Sequence, residues 1–211
     1  YGKDVEVICN GFKTDDYLAK ISDLINSGFQ NIIPILDNYR ELDKLTESID
    51  STFNIGIRIA SEEEPKFEFY TSRLGIGYKD IIPYYSQKIA EHPNARLKML
   101  HFFINTGIKD TAYYWNELYK CLRVYARLKK IAPEVDSLNI GGGFPIKTSL
   151  NFDYDYQYMV NEIVSQIKKF CEEEGVEEPN IYTEFGSFTV GESGGHLYKI
   201  ISQKRQNDRE K

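Results

Sequence analysis

Six short apolar, β-branched runs alternate with amphipathic helical segments along this chain, and nothing else in the sequence constrains its fold as strongly. Residues 5–9 form the first run, closed by Asn10-Gly11. Thr14 then stands as a helix N-cap. Tyr17, Leu18, Ile21, Leu24 and Ile25 follow at helical spacing, and Gly28 ends the helix. The unit repeats. Further strands are expected at 31–36, 55–60, 98–104, 138–140 and 180–183, with helices at about 39–49, 81–90, 111–131 and 160–175. The stretch 62–69 reads as loop, and Pro133 stops the longest helix.

Short apolar strands separated by helices suit a parallel sheet covered on both faces. A doubly wound sheet and a (β/α)₈ barrel both meet that description. Each β-α unit takes about thirty-five residues, so eight exceed the 211 present, and a barrel typically takes ~250. Taking the last strand as the eighth puts Gly141-Gly142-Gly143 after the seventh and Glu184 after the eighth. Barrels often bind phosphate with those two loops. The expected fold class is α/β: an incomplete (β/α)₈ TIM-type barrel with about six strands present.

Composition narrows the function classes. A net charge of −6 lacks the basic footprint of a nucleic-acid or membrane-surface partner. No apolar run approaches a membrane span, and no signal peptide opens the chain. Cys9, Cys121 and Cys171 are odd in number and set in apolar patterns, so they read as reduced thiols in a cytoplasmic protein. The ends look cut: the chain opens at Tyr1 almost inside a strand, and residues 203–211 are a polar tail. The expected division is a partial barrel over 1–201, then a tail or linker over 202–211.

Three consecutive glycines at a strand end allow close backbone approach, and their N–H groups can hold phosphate oxygens. A tight β-α turn with no ligand is the plainer alternative. The dinucleotide fingerprint fails, because Ile146 stands where its last glycine belongs, and no Gly-Lys-Ser/Thr follows for a Walker loop. Gly191-Glu192-Ser193-Gly194-Gly195 matches a nucleophile elbow in letters only, since His196 is adjacent and no acid-then-histidine order follows. His101 reads as a satisfied core or barrel-lining residue. Phe102, Phe103, Tyr113, Tyr114 and Trp115 read as core or interface. The runs 62–64 and 172–174 read as solvated acidic faces, and no spacing supports a metal site. Arg58 lies inside an apolar strand, which is costly unless it is paired or belongs to a site.

With these residues set out, the chain resembles a family. Leu138-Asn139-Ile140-Gly141-Gly142-Gly143-Phe144 and Thr183-Glu184-Phe185-Gly186 look like the glycine loop and Glu-x-Gly-Arg motif of group IV pyridoxal-phosphate decarboxylases. These are the fold-type III enzymes acting on ornithine, arginine, diaminopimelate and carboxynorspermidine. Ile57-Arg58-Ile59-Ala60 and Ser72-Arg73-Leu74-Gly75 resemble the family's Arg-Ile strand and Ser-Lys-Phe-Gly segment. Leu100-His101-Phe102-Phe103-Ile104-Asn105-Thr106-Gly107 resembles Leu-His-Phe-His-Leu-Gly-Ser-Gln of biosynthetic arginine decarboxylases. Ile8-Cys9-Asn10-Gly11-Phe12-Lys13 resembles their Ile-Cys-Asn-Gly-Tyr-Lys.

The resemblance implies an alanine-racemase-like barrel that binds pyridoxal 5′-phosphate, a C-terminal β domain, an amino-acid substrate and a homodimer. Carried over, Gly141, Gly142, Gly143, Thr106, Gly186 and Ser187 fall at cofactor-binding positions. Glu184 would pair with the pyridine nitrogen, Phe103 would stack on the ring, and Arg58 would lie near it. The departures are specific. Phe103 replaces a histidine and can stack but not titrate. Asn105-Thr106 replaces Gly-Ser, and Ser187 replaces the motif arginine. The family's cofactor-holding lysine lies upstream of the matched region, and Lys13 matches a different position. The resemblance thus implies that residues 1–211 alone neither hold the cofactor covalently nor decarboxylate. Arginine decarboxylation is the favoured reading for the parent protein. The rivals are an ornithine or carboxynorspermidine decarboxylase, an inert regulatory homologue, and a barrel enzyme acting on another phosphate metabolite.

Overall fold

A computed structural model of the chain describes residues 2–61, 74–104, 106–147, 152–195, 197–202, 205–206 and 209–210. The loop expected at 62–69, the acidic run 62–64, Ser72-Arg73, Asn105, His196 and most of the polar tail lie outside the described residues.

The strands are β1 Val7–Cys9, β2 Ile32–Leu36, β3 Phe53–Ala60, β4 Ile76–Gly77, β5 Ala95–His101, β6 Ser137–Asn139 and β7 Asn180–Tyr182. The helices are α1 Asp15–Asn26, α2 Tyr39–Ser48, α3 Ile81–Tyr84, α4 Ala112–Ile131, α5 Tyr156–Glu174 and α6 Gly186–Val190. All strand pairs in the main sheet are parallel, in the order β1-β2-β3-β5-β6-β7, with β4 beside the end of β3. A doubly wound sheet reverses its strand order at a switch point. Here spatial order follows chain order throughout, as it does in a barrel. The sheet is also curled enough for its outermost strands to meet. Asn10, just past β1, donates to Glu184, just past β7, at 2.6 Å, and the Tyr182 hydroxyl donates to Glu6.

The helices start where local chemistry starts them. Thr14, Asn38, Thr111 and Asp155 each accept a backbone N–H of the first turn of α1, α2, α4 and α5. Each cap directly follows a strand or its loop, so the β-to-α connections gather at one end of the sheet. Apolar side chains divide into two sets. The larger lies between sheet and helices, where Ile21, Ile25, Leu45, Leu118, Leu122 and Ile167 are almost fully buried. The smaller lines the inside of the curl: Ile33, Ile35 and Met99, with Ile8 and Tyr182 against them.

Several expected boundaries move. The strand expected at 98–104 runs Ala95–His101, which leaves Phe103 in the loop above it. The helix expected at 81–90 is one α turn followed by a π-helical stretch, Tyr85–Ile89, closed by Ala90 N–H on the Tyr85 carbonyl at 2.9 Å. The two-residue β4 and five-residue α6 were not expected, being too short to carry a period. Burial on both faces fails at β7. Ile181 is 38% exposed, because α6 contributes no buried residue over the outer face. Past residue 202 the backbone forms a small antiparallel pair, β8 Arg205–Gln206 with β9 Arg209–Glu210. Cys9, Cys121 and Cys171 are buried free thiols. Among the described residues no helix is long and apolar enough to cross a membrane.

Candidate functional site

Register places a polar row above the inner apolar layer. Arg58 pairs with His101, His101 with Asn139, and Asn139 with Tyr182 across β3, β5, β6 and β7. Partners in register point to the same face. Asp37 and Glu184, past the ends of β2 and β7, extend this row at the C-terminal mouth, where barrel enzymes hold their sites.

The β6–β7 side of the mouth is closely hydrogen-bonded. Glu184 Oε1 accepts from Asn10 Nδ2 at 2.6 Å and Asn139 Nδ2 at 2.7 Å. Asn139 Oδ1 accepts from Gly141 N–H at 2.8 Å, and Glu184 N–H donates to the Gly141 carbonyl at 2.9 Å. Gly141 sits at φ 68°, and a Cβ there would lie 2.8 Å from the Phe102 carbonyl oxygen. A Cβ on Gly142 would overlap the Glu184 carbonyl oxygen. Both glycines are therefore required by backbone approach alone. Gly143 turns outward, its carbonyl accepting from Ile108 N–H at 2.9 Å.

The β2–β5 side is different. Arg58 Nε approaches Asp37 Oδ1 only to 3.9 Å, too long for a hydrogen bond, while its guanidinium carbon lies 5.6 Å from the Phe103 ring centroid. Neither carboxylate oxygen of Asp37 has a hydrogen-bond partner. Burial pushes the Asp37 carboxyl above its ordinary range, against the opposite pull of Lys13 and Arg58. Both ring nitrogens of His101 are also buried without a hydrogen bond. Its Nε2 is 3.5 Å from Glu184 Oε1, but burial pushes the imidazole down to about 4. The ring is neutral at pH 7, so this contact is not an ion pair. Beneath them, Lys13 is buried. Its ammonium donates to Glu41 Oε2 at 3.1 Å, the Gly11 carbonyl at 2.9 Å and the Ile35 carbonyl, while Glu41 Oε2 also accepts from Asp37 N–H at 2.9 Å.

The structure thus gathers Glu184, Gly141, Gly142, Gly143, Phe103 and Arg58 at one mouth. Thr106 joins them through the adjoining Gly107, whose Cβ would overlap the Gly143 carbonyl oxygen. Gly186 and Ser187 open α6 beyond Glu184 and are exposed; among the described residues no hydrogen bond joins them to the glycine loop. His101 lines the interior as expected, but it is not satisfied. Asn10, Asp37 and Asn139 were missed. The signal for Asn139 was present: a polar residue two positions before Gly141, at the alternation that shares its face.

Pyridoxal phosphate fits this residue set. Gly142 and Gly143 N–H donate to no described residue, and the Thr106 hydroxyl is buried without a partner. Those donors suit phosphate oxygens. Glu184 keeps Oε2 clear of the clamps on Oε1, and Phe103 offers a half-buried ring face. Among the described residues no group of three His, Cys, Asp or Glu side chains is placed to hold a metal ion.

Comparison with known proteins gives a consistent result. The family model described as "Pyridoxal-dependent decarboxylase, pyridoxal binding domain" matches residues 5–191. A biosynthetic arginine decarboxylase of Citrifermentans bemidjiense is 25% identical over 220 residues, covering 97% of this chain and 34% of its own length. The chain therefore spans about a third of the length of the curated relatives it matches. The crystal structure of a biosynthetic arginine decarboxylase from Campylobacter jejuni superposes with a TM-score of 0.68 at 22% identity, covering 89% of this chain and 32% of that one. A lysine decarboxylase from Selenomonas ruminantium gives 0.67 at 19% identity, with 87% and 44% covered. At such identities the structures speak for the fold, the curled parallel sheet of a decarboxylase barrel.

Proposed function

The chain belongs to the pyridoxal-dependent decarboxylases through their pyridoxal-binding domain, and on that premise we propose that the complete protein decarboxylates a basic amino acid, with arginine favoured and agmatine as the product for polyamine synthesis. The observation that carries this reading is the Glu184 carboxylate clamped beside a glycine loop whose Gly142 and Gly143 N–H groups donate to no described residue, at the mouth of a barrel sheet. Arginine is favoured because the curated relative quoted above is a biosynthetic arginine decarboxylase.

Bound pyridoxal phosphate supplies an electron sink for the pair left behind when carbon dioxide departs. Gly142, Gly143 and Thr106 would hold the phosphate end, with Gly186 and Ser187, exposed at the start of α6, as further candidates. Glu184 holds a proton at the pyridine nitrogen, and Asn10 and Asn139 keep its carboxylate in place. Phe103 would pack on the ring in place of a histidine, giving contact area without a titrating group. Arg58, lodged between Asp37 and Phe103, would place a cationic group on the far side of the mouth. Lys13 is committed to Glu41 and two carbonyls, in keeping with the expectation from the resemblance that the family's cofactor-holding lysine lies upstream of the matched region. A homodimer in the cytoplasm is part of the same proposal.

The test is an assay of the complete protein with pyridoxal phosphate and, side by side, arginine, ornithine and carboxynorspermidine, following carbon dioxide release. Release fastest from arginine supports the reading; release fastest from either rival reassigns the substrate. Cofactor binding with no release from any of the three supports an inert homologue, the reading that Phe103 and Ser187 favour.

A further inference from the structure

Asn139 is 1% exposed and uses both ends of its amide. Its Oδ1 accepts from Gly141 N–H, at the root of the glycine loop, and its Nδ2 donates to Glu184 Oε1. That orientation alone satisfies both neighbours. Turned over, the amide would set an NH₂ group against an N–H and a carbonyl against a carboxylate. The two segments it joins also touch through backbone, by Glu184 N–H on the Gly141 carbonyl and by Gly142 beneath the Glu184 carbonyl. A short side chain with two torsions, buried and bonded at both ends, transmits a displacement instead of absorbing it. Fixing Gly141 fixes the amide plane, and the amide plane fixes the carboxylate.

We propose that Asn139 is the positioning residue that couples the glycine loop to Glu184, so that the phosphate end and the ring end of the site are held as one unit. This rests on the pyridoxal-phosphate reading above. An Asn139→Asp change separates the two contacts. It keeps an acceptor for Gly141 N–H, loses the donor to Glu184, and sets a like charge where the structure has a 2.7 Å hydrogen bond. A residue that merely supports the loop would tolerate that change, whereas a coupling residue would not.

The experiment titrates the complete protein with pyridoxal 5′-phosphate, by absorbance, in the wild type, Asn139→Asp, Asn139→Ala, Glu184→Gln and the double variant that combines Asn139→Asp with Glu184→Gln. It also records the midpoint pH of the bound cofactor's visible band, and Tm without cofactor. Asn139→Asp is expected to weaken binding at least tenfold and to shift the midpoint pH, and Asn139→Ala at least as much. In the Glu184→Gln background the new amide can donate to the carboxylate introduced by Asn139→Asp. There the Asn139→Asp change is expected to cost less than threefold and to lower Tm less than it does alone. The inference is overturned if Asn139→Asp binds as the wild type with an unchanged midpoint, or if its losses are equal in both backgrounds. Wild-type protein that binds no pyridoxal phosphate overturns the parent reading and this inference together; failure confined to the variants overturns the inference alone.

Discussion

On the β6–β7 side of the mouth, Asn139, Gly141 and Glu184 close their hydrogen bonds on one another, while on the β2–β5 side Asp37, His101 and Thr106 carry buried polar atoms that close none. Both sides sit at the ends of parallel strands, in the same curl, above the same apolar layer. The Glu184 carboxylate is held by its own neighbours before a ligand arrives, with Asn10 Oδ1 and the Gly142 and Gly143 N–H groups left over on that side. The unsatisfied side carries a desolvation cost of about 1–3 kcal/mol for each orphaned group. Such groups persist where something else completes them. One side fixes the Glu184 carboxylate and offers backbone donors, and the other leaves buried side-chain polar atoms for a ligand to finish.

That contrast can be broken experimentally, starting from its foundation. Lys13→Ala would leave Glu41 buried and uncompensated, and should cost about 3–5 kcal/mol in chemical denaturation. Replacing the pair together, Lys13→Met with Glu41→Leu, should cost clearly less. Equal losses would mean that the pair does not support the β1 and β2 loops electrostatically.

Gly142→Ala tests the fixed side. Its Cβ meets the Glu184 carbonyl, backbone that cannot step aside, so about 3 kcal/mol of stability should be lost along with cofactor binding. Gly186→Ala is the matched control, with nothing within 4 Å of its Cβ, and should stay within about 0.5 kcal/mol of wild type.

On the unfinished side, pH is the probe. His101 is neutral in the folded protein down to about 4, whereas its unfolded counterpart takes up a proton near 6.5. Stability from this group is complete above pH 6.5 and is lost as pH falls from there to about 4, by about 3 kcal/mol in all. His101→Gln should flatten that part of the stability–pH curve. A slope unchanged in the variant would show that His101 is not the buried neutral group.

Asp37 should give an effect of the opposite sign. Its carboxyl is raised above the ordinary aspartate value, so the folded state binds the proton more tightly and stability falls as pH rises from that value. Asp37→Asn removes this penalty but gives up the weak pull of Arg58. The variant should gain on the wild type as pH rises through that window. A difference that stays constant with pH would place the Asp37 charge outside the unsatisfied set.

Much of the fold was legible because its causes are local. Apolar β-branched runs fell within a few residues of the six strands of the main path, and Thr14 capped α1 as expected. The glycine loop and Glu184 were legible as motifs. The polar row was not, because it depends on register and curl. Asn10 and Glu184 are 174 residues apart and meet only when the outermost strands approach. No pattern in the sequence singles out Asp37; only the structure shows both its oxygens buried without a partner. Gly142 was read for what its N–H offers a ligand, while its first duty is to let the Glu184 carbonyl approach.

The most direct measurement of the central claim is a pyridoxal 5′-phosphate titration of the complete protein, wild type against Glu184→Ala, followed by the visible absorbance of the bound cofactor. Saturable binding is expected in the wild type, with a band that the variant loses or shifts as the ring nitrogen loses its carboxylate. Wild-type protein that does not bind, or a variant that binds with the same affinity and spectrum, would contradict it.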